Sequence, residues 1–63
     1  MWKVDVKVLT RHKGHEVELF QTFVGNTKGE AEACASDFLE LLRKDGYVFY
    51  GTTIETTNMS NGQ

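Results

Sequence analysis

The chain has 63 residues, a quarter of them charged, with a net charge of −2, one cysteine and no proline. That length makes one domain and excludes two. Such a chain buries only about 60% of its unfolded surface, so its core is small and a homodimer would help it. The single Cys34 excludes an intramolecular disulfide and fits a reducing compartment. No apolar run is long enough to span a membrane and no signal-peptide pattern is present, so the expected setting is cytoplasmic. The overall charge gives no general pull toward nucleic acid, although it is unevenly spread. Lys3, Lys7, Arg11 and Lys13 outweigh Asp5 in residues 1–15, and the acidic side chains dominate from there on.

Trp2, Val4, Val6 and Val8 alternate with Lys3, Asp5 and Lys7, the pattern of a half-buried first strand. Residues 11–15, Arg-His-Lys-Gly-His, read as a hairpin turn, with Gly14 suited to positive φ. Glu16–Val24 is the second strand. One register places Val17, Leu19 and Phe23 on the core face, tolerates Gln21 there, and sets Lys7 opposite Glu18 on the other face. A slip by one residue buries Phe20 and Val24 instead. The hydrophobic count favours the first.

Gly25-Asn26 leads into a helix bounded by Thr27 and Gly46. Thr27-Lys28-Gly29-Glu30 has capping-box spacing, and Gly46 is placed to stop the helix in a left-handed turn. Ala31, Cys34, Ala35, Phe38, Leu41 and Leu42 recur at three- and four-residue steps as one apolar stripe, with Leu39 at its edge. Tyr47–Glu55 is the third strand, with Val48, Tyr50, Thr52 and Ile54 on one face and Tyr47, Phe49, Gly51 and Thr53 on the other. The polar residues 57–63 read as a tail to a domain spanning 1–56.

The order ββαβ predicts an α+β fold, a three-stranded antiparallel sheet in the order 2-1-3 with the helix on one face. A mixed sheet, with the third strand beside the second, is the alternative. Either way one sheet face is left bare.

No catalytic constellation, phosphate loop or metal-ligand set stands out, so no enzymatic activity, cofactor or metal is expected. His12 and His15 read as solvated turn residues, and Cys34 as a small core residue. Two features remain for function. The bare face is expected to carry Lys3, Lys7, Phe20, Tyr47 and Phe49, flanked by Arg11 and Lys13 near the turn. Aromatics among lysines on an open sheet can stack exposed bases, but Asp5, Glu16 and Glu18 share the face and oppose a polyanion. The second feature is the uncharged run 47–54, an edge strand open to pairing with another chain.

The layout resembles that of small phage-encoded inhibitors of host proteins, the podovirus RNA-polymerase-inhibitor type. The matching pieces are Trp2 in the opening strand, Glu16-Val17 after the turn, Thr27, Glu30, Ala31 and Ala35 opening the helix, and Gly46 followed by an aromatic. That resemblance implies a compact acidic module acting by binding. Members of that type engage the polymerase through arginines on the last strand; residues 47–57 here contain none, so no functional residue is carried over. The reading is a non-enzymatic protein-binding module acting through its open face or third-strand edge. The alternatives are a single-stranded nucleic-acid binder and a self-associating structural protein.

Overall fold

A computed structural model describes residues 1–59. Strands β1 (Trp2–His12) and β2 (His15–Gly25) form a hairpin, followed by helix α1 (Lys28–Lys44) and strand β3 (Val48–Asn58). The sheet is antiparallel throughout, in the order β2-β1-β3. The alternating β1 therefore takes the centre, where both of its edges are paired.

The hairpin is longer and tighter than the sequence suggests. His12 pairs with His15, leaving Lys13 and Gly14 as a two-residue turn at φ 52° and 80°. Positive φ at both positions is the twist that suits a tight hairpin. This turn sets the register: Val17, Leu19, Gln21 and Phe23 share the helix-facing side with Thr10, Val8, Val6 and Val4. Lys7 lies opposite Phe20 rather than Glu18, and reaches Glu18 diagonally at 3.2 Å.

The helix forms where its caps allow. Thr27 Oγ1 accepts from the Glu30 backbone N–H at 3.1 Å, while the Glu30 carboxylate accepts from the Asn26 N–H at 2.9 Å, one residue earlier than in a standard box. At the other end Gly46 sits at φ 94°. Its N–H donates to Arg43 O and the Tyr47 N–H donates to Leu42 O, the paired bonds of a Schellman ending.

The core lies between α1 and β1. Val4, Val6, Val8, Ala31 and Ala35 are buried, with Trp2, Phe23, Phe38, Leu39 and Phe49 packed around them. Thr10 continues the valine stripe, its hydroxyl donating to Val17 O at 2.8 Å. Small Ala31 and Ala35 bring the helix close to the sheet. At Gly25 a Cβ would lie 2.7 Å from the Ala31 backbone nitrogen, so only glycine fits.

Two helix residues depart from the expected stripe. Cys34 and Leu41 are exposed, and Leu39 turns inward instead. The helix is rolled so that Ala31, Ala35, Phe38, Leu39 and Leu42 face the sheet. Cys34 and Leu41 lie together on one margin of the stripe and Leu39 on the other, so a small roll about the helix axis exchanges them. Cys34 is thus a surface residue, not a core one. The expected tail boundary also moves: β3 continues through Asn58, which pairs with Trp2, and the Met59 N–H donates to Met1 O at 2.8 Å. The rest of the expected tail, 60–63, lies outside the described residues.

Candidate protein-binding surface

The face of the sheet away from α1 is built by alternation. β1 contributes Lys3, Asp5, Lys7, Leu9 and Arg11; β2 contributes Glu16, Glu18, Phe20, Thr22 and Val24. On β3 a register shift between Leu9 and Thr10 changes the alternation. Gly51 pairs with Leu9, but Phe49 pairs with Thr10 and Val48 with Arg11, so Tyr50 is the extra residue. A bulge of this kind lets two neighbouring segments of one strand present opposite parities.

That bulge corrects the expected placement of two aromatics. Phe49 points to the helix side, packs against the core and lies under the Arg43 guanidinium, 5.0 Å from its ring centroid. Tyr47 is also drawn to that side and stacks on the His12 ring at 4.1 Å and 10°. Neither belongs to the open face. Val48 and Tyr50 take their place there, 64% and 58% exposed. Tyr50 borders a shallow pit with Leu9, Val17, Glu16 and Glu18. Leu9 leans over Gly51, where a Cβ would lie 3.1 Å from its side chain; glycine leaves room for it.

His12 is not a solvated turn residue either. Its Nε2 lies 3.0 Å from Asp45 O. A carbonyl only accepts, so Nε2 carries the proton. With the Tyr47 stack, this bond ties the hairpin end of β1 to the C-terminus of the helix.

Of the remaining expected site residues, Lys3, Lys7, Phe20 and Arg11 do lie on the open face, and Lys13 lies in the turn at its end. The structure brings the open-face cations against carboxylates. Lys3 Nζ is 3.8 Å from Asp5, Lys7 Nζ 3.2 Å from Glu18, and Arg11 Nη2 3.2 Å from Glu16. Asp5 also accepts from the Thr22 hydroxyl at 2.7 Å. The charges are thus locally neutralised, and the apolar side chains stand out between them: Phe20 at 67% exposure, Val24 at 50%, Val48 and Tyr50. Val24, Leu9, Val48 and Tyr50 were not among the expected residues. Val24 and Leu9 follow from the β1–β2 register once the turn is known, whereas Val48 and Tyr50 required the bulge.

Among the described residues no group of three or more His, Cys, Asp or Glu side chains could hold a metal, and no helix is long and apolar enough to cross a membrane. Compared with known protein families, curated proteins and solved structures, the chain matches none.

Proposed function

We propose that this chain is a small non-enzymatic protein-binding module, an inhibitor or adaptor of the phage-encoded kind, that acts in the cytoplasm on a larger host protein through its open sheet face. The observation that supports this reading is the exposure of Phe20, Val24, Val48 and Tyr50 on a face that no other described part of the chain covers. Aromatic anchors surrounded by charge pairs that are already matched suit a protein surface. They suit a polyanion poorly: with Tyr47 and Phe49 on the helix side and the cations paired, the base-stacking alternative keeps only Phe20 from its expected aromatics.

The test is retention of a partner from host lysate by the immobilised chain, repeated with the double substitution Phe20→Ala and Tyr50→Ala. Both side chains are more than half exposed, so the fold should survive, as circular dichroism would check. The reading expects the retained protein to disappear with the double variant and to stay with Lys13→Ala. Equal retention by both variants contradicts it, as does a lysate from which nothing is retained.

A further inference from the structure

The helix does not cover the sheet evenly. It packs over β1 and β2, with Phe38 meeting Phe23 at 5.4 Å between ring centroids. Along β3 it stands off, and a groove of about 260 Å³ opens between helix and strand, lined by Val4, Ala35, Leu39, Ile54, Glu32 and Ser36. Ile54 is 52% exposed in it. That volume is below what a drug-sized ligand needs, about 300–1,000 Å³, and suits one large side chain.

β3 is also an edge strand: among the described residues only β1 pairs with it. It runs eleven residues with Glu55 as its one charged side chain and no proline. Lysines, prolines and inward-pointing charges are the usual guards of such an edge; here Glu55 and the bulge at Tyr50 are what stand in their place, and the stretch Gly51–Asn58 below the bulge pairs regularly with β1.

We infer that β3 and the groove beside it form a second binding site, which takes an extended segment of another protein by strand addition. The added strand supplies main-chain hydrogen bonds to the β3 edge. Its side chains alternate, so every second one leans over the inner face of β3 toward the groove. The recognised segment carries one large apolar side chain at such a position, with a lysine or arginine two residues away on the same face. The apolar residue follows from Ile54, Val4, Leu39 and Ala35. The basic one follows from Glu32, which borders the groove and has no ion-pair partner among the described residues. The same charges argue against a second copy of this chain as occupant: β3 would bring Glu55 toward its twin, and it offers no cation to Glu32.

This site is separate from the open face, and its test does not depend on the partner sought there. The probe is a blocked peptide of about nine residues, threonine throughout except for a central phenylalanine and a lysine two positions to either side. Added to isotopically labelled full-length chain, it should shift the backbone amides of residues 51–58 and of Glu32, Ser36 and Leu39. Replacing the phenylalanine by alanine, or both lysines by glutamate, should each weaken binding at least about tenfold. Ile54→Lys should weaken the parent peptide similarly, with an unchanged free-chain spectrum away from β3. Glu32→Lys should narrow or reverse the preference for lysine over glutamate peptides, a readout that simple loss of stability would not give. The proposal is overturned by no shifts at about 2 mM peptide, by shifts gathered on β2 or the open face, or by a charge preference that Glu32→Lys leaves untouched. A dimer in sedimentation that Ile54→Lys dissociates, placing a second copy on the β3 edge, would overturn it as well.

Discussion

Val6 has two neighbours across the sheet on the helix side: Gln21 on β2 and Ile54 on β3. The polar residue belongs to the strand that the helix packs over, and the apolar residue to the strand that it stands off from. On the β2 side Leu19 and Phe23 are half-buried and Phe23 meets Phe38, although Gln21 itself is exposed. Around Ile54 no described residue makes a comparable contact across the groove, and half of its surface stays in water. Burial of apolar area is the main favourable term in folding. A strand that keeps an isoleucine, a valine and a tyrosine more than half exposed therefore gains little of that term from them. On the helix side, then, β2 half-buries Val17, Leu19 and Phe23, whereas β3 leaves Ile54 half in water; on the open face both edges expose apolar side chains, Phe20 and Val24 on β2 and Val48 and Tyr50 on β3.

The comparison can be broken most readily at its covered side. Phe38→Ala removes the ring that meets Phe23 and should cost about 3 kcal/mol, read from chemical denaturation. A cost below that of Ile54→Ala would reverse the assignment of the two sides. Gly25→Ala should follow at about 2 kcal/mol, because the new methyl meets the Ala31 backbone nitrogen at 2.7 Å and the Glu30 Cβ at 2.9 Å, and the helix would have to lift from the sheet. Thr27→Ala removes the cap bond to the Glu30 N–H and should cost about 1 kcal/mol.

Ile54→Ala sharpens the comparison from the open side. With half of the side chain already in water, its loss should cost less than about 1 kcal/mol in the free chain. The smallest effect is expected on the open face, where Lys7 and Glu18 are both about half exposed. A double-mutant cycle on that pair should return a coupling of only a few tenths of a kcal/mol, fading in high salt.

Much of this arrangement is legible from residue order because it rests on local periodicity. The valine alternation of β1 fixes its central place, and Thr27, Glu30 and Gly46 mark the helix ends by capping chemistry alone. What could not be read depends on tertiary geometry. The roll of α1 that turns Leu39 inward and leaves Cys34 and Leu41 out arises only when the helix docks on the sheet. The bulge at Tyr50 is set by the fit of β3 against Leu9 and Thr10. It exchanges the faces of Tyr47 and Phe49 with those of Val48 and Tyr50, and the run 47–54 carries β-prone residues at both parities, so it contains no signal for where the alternation slips. The contacts of His12 leave no local signal for a related reason: its partners, Asp45 and Tyr47, are distant in sequence and meet it only when the helix end docks on the hairpin.

On the proposed function, recognition falls to the open sheet face rather than to the outer side of the helix. Cross-saturation from a retained partner to methyl-labelled chain tests it most directly. Leu9, Val24 and Val48 lie on the open face, while Leu41 is exposed on the helix at 61% and serves as the contrast. The account predicts the largest intensity losses at the Leu9, Val24 and Val48 methyls, with Leu41 unaffected. Losses strongest at Leu41, with the other three unchanged, would contradict it.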